Sequence, residues 1–274
     1  MLVLGTVSFA HTTVRSWERG RRATRKETVR SAFTLPDGVC HVLDEDPDLA
    51  SRLTPGDARR AGRVAIAPTL RLGPGCWTPA AVDPDALGLL VLDGALLRCA
   101  SISASRGVEL LGAGDVLWPG DVYDEGSVAF SESWEVVTPA RMALMDAQFH
   151  CAVAPWPGIL AELLARSVSS GRALVRHRAI AHLPRLETRI LLTLWAIGDR
   201  WGRVEADGVS FTLPITQRLL ADLVSASRQR VNAAVGALTR AGDIERRGDR
   251  VFLRRDALDA LEQSRAGAAM ALGD

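Results

Sequence analysis

Residues 215 to 253 constrain this chain more tightly than any other stretch, because two helical repeats and one strand-like repeat follow one another across very short breaks. Leu219, Leu220, Leu223 and Val224 recur at helical spacing behind Thr216, a hydroxyl residue suited to cap a first turn. Ser225 and Ala226 interrupt that run, and Ser227 offers a second cap. Val231, Ala234, Val235 and Leu238 then recur at three- and four-residue intervals until Gly242, a residue that commonly ends helices. Ile244 to Leu253 reads as two short strands around Gly248-Asp249. Helix, tight turn, helix and hairpin in that order predict a winged helix-turn-helix.

The face left over on the second predicted helix is polar. It begins with Arg228, Gln229, Arg230 and Asn232, side chains whose donors and acceptors match base edges, Arg to guanine and Gln or Asn to adenine. Arg246, Arg247 and Arg250 lie near the hairpin tip, where phosphates would be met. A charge run is most often just a solvated face, but the placement here argues otherwise. Between residues 216 and 255 nine Arg face only Asp222, Asp243, Glu245 and Asp249, a local excess of five in a chain whose net charge is +1. Concentrated positive charge on a helix-turn-helix favours DNA as partner. A winged helix that contacts protein, within an effector-binding or scaffolding module, is the alternative.

This region resembles the DNA-binding end of the Crp/Fnr superfamily of bacterial transcription regulators. The matching positions are Thr216, Ala221, Ser227, Arg228, Val231, Val235 and Leu238, without gaps. The resemblance implies that Arg228, Gln229 and Asn232 face bases and that Thr216 and Ser227 hold phosphates, with Arg218 and Arg230 among the surrounding cations. Two positions depart from the family pattern. Ser225 stands where Gly is common at the turn, a left-handed conformation that strains a residue with a side chain. Gln229 stands where Glu is common, which exchanges an acceptor for cytosine for a partner of adenine and predicts a different operator.

The 274 residues are long enough for more than one domain. From Val39 to about Arg141, short apolar runs at Val64–Ile66, Leu87–Leu92, Ala95–Cys99, Val108–Leu111 and Val136–Val137 alternate with turn residues, as in a small barrel. An acidic helical start, Asp44 to Leu53, precedes them all. Gly94, Gly114 and Asp115 sit where the cyclic-nucleotide-binding barrels of Crp/Fnr proteins carry turns. The predicted class is therefore α+β: a cyclic-nucleotide-binding-like β-barrel, or double-stranded β-helix, over 39–155, a long dimerisation helix over 156–183 and a winged helix over 184–274. Residues 1–38, with Arg19, Arg21, Arg22, Arg25, Lys26 and Arg30, are read as a basic disordered extension.

In relatives that bind cyclic AMP, a Gly-Glu pair and an Arg-Ser/Thr-Ala run hold the ribose and the cyclic phosphate. Neither occurs in the corresponding segment, Gly114 to Glu135. From Asp115 to Ala140 there is no Arg or Lys, while Asp115, Asp121, Asp124, Glu125, Glu132 and Glu135 are acidic. Burying a phosphodiester among them without a cation would be costly, so no response to cyclic AMP is expected. Trp118, Tyr123 and Trp134 form a candidate effector pocket, the other reading being barrel core. Ile159, Leu160, Leu163, Leu164, Val168, Leu174 and Val175 recur helically, with Ser169, Ser170 and Gly171 in their midst. The resemblance makes this helix the dimer contact, through Leu160, Leu163, Leu164, Val168, Gly171, Leu174 and Val175.

Cys40, Cys76, Cys99 and Cys151 are widely spaced, His11, His41, His177 and His182 share no ligand spacing, and His150-Cys151 is a lone adjacent pair, so no metal or cofactor is called for. No residue set nominates catalysis, and the apolar runs are too short to span a bilayer. A homodimeric, cytoplasmic regulator of transcription is expected, holding an inverted-repeat duplex operator. RNA polymerase is a further partner, and any small-molecule effector is of unknown identity.

Overall fold

A computed structural model describes residues 36–79, 85–103, 105–119, 131–212, 215–248 and 250–260. The basic extension expected over 1–38 lies outside the described residues up to position 35. Antiparallel structure begins at once, β1 (Gly38–His41) pairing with β2 (Ile66–Leu72). Between them lies α1 (Val42–Glu45), a 3-10 turn (Pro47–Ala50) and α2 (Pro55–Val64). Thr54 caps α2 by accepting from the Asp57 amide at 3.2 Å, and Pro55 occupies its first turn. Val64, expected in a strand, thus ends a helix, because this cap and proline start a helical run whose apolar content is too low to stand out in the sequence.

β3 (Gly75–Trp77), β4 (Gly88–Ile102), β5 (Ser105–Gly112), β6 (Val116–Leu117) and β7 (Ser131–Met145) complete a seven-stranded sheet in the order β1-β2-β7-β4-β5, with β3 on β7 and β6 on β4. The sequence suggests separate strands for Leu87–Leu92 and Ala95–Cys99. They are halves of the single strand β4, whose pairing with β7 shifts register between Val91 and Leu96. Such shifts bend a strand and let one sheet wrap a core. Gly94, with φ of 90°, sits at that bend. A methyl group there would lie 2.3 Å from the Pro139 carbonyl oxygen.

Inside the bend pack Leu72, Leu89, Val91, Leu96, Leu111, Val136 and Met142. Trp134 belongs to this core, 5% exposed, edge-on to Trp77 at 5.7 Å, and Trp118 packs against it. The Trp134 indole donates to Glu132 Oε1 at 2.9 Å. Both indoles are therefore core rather than the lining of an effector pocket, and Tyr123 lies outside the described residues. A cleft of about 830 Å³ opens elsewhere, among the 3-10 turn, the β5–β6 turn, the middle of the long helix and Arg200-Trp201. Ion pairs of Arg166 with Asp46 and of Arg200 with Asp115 line it.

A short α3 (Ala147–Val153), whose N-cap Asp146 accepts from Phe149 N, leads into α4 (Pro157–Ala181) and α5 (Leu186–Trp201). α3 was not expected within the barrel span. His150 Nδ1 lies 3.2 Å from the Asp85 carbonyl oxygen. After α5 comes β8 (Arg203–Glu205), paired with β9 (Gly208–Phe211). Then follow α6 (Gln217–Leu223), α7 (Arg228–Ala241), β10 (Ile244–Arg247) and β11 (Arg250–Arg254), the second sheet running β10-β11-β9-β8. A single core joins Leu97, Cys99, Val108 and Leu110 of the first sheet to Ile190, Leu194, Leu219, Leu223, Val231, Leu238 and Leu253. Among the described residues no helix is long and apolar enough to cross a membrane.

Because the Gly94 backbone is left-handed and abuts Pro139, Gly94→Ala should destabilise the fold by at least about 2 kcal/mol in urea denaturation, whereas Gly62→Ala, in open helix, should not.

Candidate nucleic-acid interface

The two helices of the turn start where their hydroxyl caps dictate. Thr216 Oγ1 accepts from the Leu219 amide at 3.1 Å, and Ser227 Oγ from the Arg230 amide at 3.5 Å. α6 buries Leu219, Leu220, Ala221 and Leu223, and α7 buries Val231, Ala234 and Leu238. Ala221, the small residue of the pattern, is 4% exposed. Between the helices Ser225 adopts φ of 51°, the left-handed conformation expected to be strained without glycine. α7 ends at Gly242, φ 80°, where the amide of Asp243 reaches back to the Leu238 carbonyl at 3.0 Å, a left-handed cap.

This leaves one face of α7 to solvent. Arg228, Gln229, Arg230, Asn232 and Ala233 are all exposed, and so are Thr216, Gln217 and Arg218 at the start of α6. Arg218, Arg228 and Arg230 form no ion pair among the described residues, so their charge is available to a partner. Asn232 is different. Gln217 Nε2 donates to its Oδ1 at 2.7 Å, tying the first helix to the second across their exposed ends.

The wing divides its arginines. Arg246 and Arg250 are exposed and unpaired among the described residues, on either side of the Gly248 turn. Arg247 is folded inward, its guanidinium 3.5 Å from the Phe252 ring centroid, 3.1 Å from Glu245 and 3.3 Å from Glu205. Phe252 is wholly buried, so Arg247 acts as a lid on its ring, a use of the guanidinium that spacing cannot reveal. Its side chain keeps 43% of its exposure, so the expected phosphate contact would require it to leave these partners. Hydrogen bonds from Arg254 and Arg247 hold the Glu245 carboxyl below the usual carboxylate range.

Residues far away in sequence fix the end of α6. His177 Nε2 on α4 donates to the Leu223 carbonyl at 2.7 Å, and Arg189 on α5 donates to the Val224 carbonyl at 3.1 Å. Arg106 on β5 reaches Asp222 at 3.6 Å and donates to Cys99 Sγ at 2.9 Å. None of these carries a sequence signal, because each depends on how α4, α5 and β5 fold back upon α6.

α4 has two unlike faces. Ile159, Leu163, Arg166 and Ser170 turn inward, Leu163 being 6% exposed and Ser170 lying 3.4 Å from Asp115. Leu160 packs against the same inner core, and Leu174 borders a small cavity with Val108 and Ile197. Leu163 is thus removed from the expected dimer set, since a side chain buried on its own chain cannot meet another; Leu160 is half-buried and Leu174 is 38% exposed. Leu164, Val168, Gly171 and Val175 remain on the outer face, the three apolar side chains 65%, 49% and 71% exposed, with open space around Gly171.

A winged helix-turn-helix docked on a bent antiparallel sheet, with a long two-faced helix between them, defines the class. Residues 188–262 match the family of Crp-like helix-turn-helix domains. Solved structures share the fold over most of the chain. A CooA variant from Carboxydothermus hydrogenoformans is 15% identical with TM-score 0.54 over 83% of this chain and 95% of its own. FixK2 from Bradyrhizobium japonicum is 17% identical with TM-score 0.53, over 71% and 96%. A cyclic nucleotide-binding domain containing protein from Listeria monocytogenes EGD-e is 11% identical with TM-score 0.57, over 77% and 98%. No curated protein sequence matches the chain.

Since Ser225 pays a conformational cost that glycine avoids, Ser225→Gly should raise stability by about 0.5–1 kcal/mol in chemical denaturation while leaving the exposed face of α7 unchanged.

Proposed function

We propose that this protein is a DNA-binding regulator of transcription that holds an inverted-repeat operator as a homodimer and does not respond to cyclic AMP. The observation that carries this is the exposed end of α7: Arg228, Gln229 and Arg230 stand unshielded on a helix whose opposite face is locked into the core. That is the arrangement by which a recognition helix enters a major groove. Arg228 reads guanine through its paired donors, and Gln229 and Asn232 read adenine. Thr216 and Ser227 keep their hydroxyl hydrogens free for phosphates while their oxygens cap the helices. Arg218, Arg246 and Arg250 add the surrounding positive charge.

The outer face of α4 supports the homodimer. Leu164, Val168, Gly171 and Val175 are spaced four, three and four residues apart, the repeat of a coiled-coil seam. Gly171 lets two helices approach closely in its middle. Ser170, beside Gly171 in the chain, turns inward toward Asp115. Two recognition helices related by a two-fold axis read half-sites roughly 34 Å apart.

The lack of Arg and Lys from Asp115 to Ala140 supports independence from cyclic AMP. Of that acidic segment, Asp115 is committed within the fold, accepting from the Gly112 amide at 2.9 Å and pairing with Arg200. We place the protein in the cytoplasm, as a regulator without catalytic activity and with RNA polymerase as a further partner.

Selection from a random duplex pool tests the reading: a two-fold motif should be enriched without added ligand and lost with Arg228→Ala, Gln229→Ala. In binding titrations Arg228→Ala should relax one base position at a cost of about 1–3 kcal/mol. Arg246→Ala or Arg250→Ala should weaken all sequences alike and lower the salt slope by roughly one. Arg247→Ala should chiefly lower wing stability. A wing that binds protein would instead show little DNA binding at any salt. In sedimentation, Val168→Glu should yield monomers that no longer prefer paired half-sites.

A further inference from the structure

We infer that Gln217 is a positioning residue that makes Asn232 selective for adenine, so that one base of the operator is read by a pair of amides on two different helices. The inference rests on the DNA-binding reading above. Gln217 is the first residue of α6 and Asn232 the fifth of α7, fifteen positions apart in the chain. Both are exposed, and their amides meet at 2.7 Å, with Gln217 Nε2 donating and Asn232 Oδ1 accepting.

The chemistry of that bond decides how Asn232 faces outward. An unrestrained carboxamide can turn about its last torsion and present either its oxygen or its nitrogen to a base. With Oδ1 drawn toward Gln217, the Nδ2 donors are held away from it. A carbonyl oxygen has two lone pairs, so Oδ1 can still accept from the N6 amino group of adenine while Nδ2 donates to N7. Guanine presents acceptors at both O6 and N7, and an amide held in this sense has only one donor end to offer them. The bond therefore selects among bases rather than merely adding affinity. It also fixes a side chain before DNA arrives, which lowers the ordering cost of binding.

Gln217 itself buries nothing, and its neighbours Leu219 and Leu220 hold α6 in place, so substitutions at 217 leave the fold intact. They separate the donor role from the presence of a side chain. Gln217→Ala removes the donor. Gln217→Glu keeps the shape but only accepts, so it draws Nδ2 inward and turns Oδ1 outward. Gln217→Lys restores a donor of different shape.

The test is binding of the full chain to the selected operator and to three variants of it, each replacing the adenine that Asn232→Ala identifies, at one fixed salt. Wild type should prefer adenine; Gln217→Ala should reduce that preference about three- to tenfold, the range expected for one side chain left unordered. Gln217→Glu should reduce it at least as far, Gln217→Lys should recover most of it, and Gln217→Ala should have no further effect once Asn232 is Ala. An unchanged preference in Gln217→Ala overturns the inference and leaves the DNA-binding reading standing. Loss of preference at a different base also overturns it, because Gln217 would then be reading DNA directly. A wild-type chain that selects no motif overturns both.

Discussion

The end of α6 is the point on which the arrangement of this molecule depends. A helix leaves its last carbonyls without partners inside itself, and buried ones must find donors elsewhere. Here the donors come from other parts of the chain: His177 on α4 satisfies Leu223, and Arg189 on α5 satisfies Val224. Beneath them, Leu220, Leu223 and Val224 enter the same core as Leu97 and Val108 of the bent sheet. The helix-turn-helix is thus not a unit tethered by a linker but one side of a shared core, and the direction in which α7 points depends on contacts made by α4 and α5.

Most of the α6–α7 region was legible in the sequence because its determinants are local. A hydroxyl cap, an apolar period and a left-handed stop each act within a few residues, and Thr216, Ser227 and Gly242 do what their types imply. The same holds for the long helix, whose bounds fall within a few residues of those expected. The sheet was less legible. A bent strand such as β4 looks like two strands in sequence, since the polar and glycine positions that break its pattern, Asp93 and Gly94, serve a bend and not a turn between strands.

What the sequence concealed follows one rule: side chains with several uses are assigned by their neighbours. Arg247 has the same sequence environment as Arg246, yet one faces solvent and the other covers Phe252, because strand alternation puts them on opposite faces of the wing. Leu163 and Leu164 are adjacent and identical, and one is core while the other is exposed. Trp118 and Trp134 were ambiguous between pocket and core for the same reason, and the bend of β4 and β7 encloses them. Gln217 carried no signal at all, since a glutamine at the start of a helix is unremarkable until the residue fifteen places later lies beside it.

α4 connects these observations physically. Val175 belongs to its outer stripe and His177, two residues on, to its inner face, so one rigid helical turn carries both the proposed contact between subunits and the bond that anchors α6. A helix transmits rotation along its length because its backbone bonds are satisfied internally and its rise is fixed. Any two-fold pairing along Leu164, Val168, Gly171 and Val175 would therefore set the angle at which α6, and through it the Gln217–Asn232 bridge and α7, is presented. Half-site spacing would in that case be a property of the α4 seam rather than of the wing. In the proposed complex the outer arginines Arg246 and Arg250 would follow a phosphate backbone wherever it lies, whereas base readout by Arg228 and Asn232 would tolerate little displacement. Precision is required where the core of this protein is continuous, and freedom remains at the wing tip, where its side chains are unpaired among the described residues.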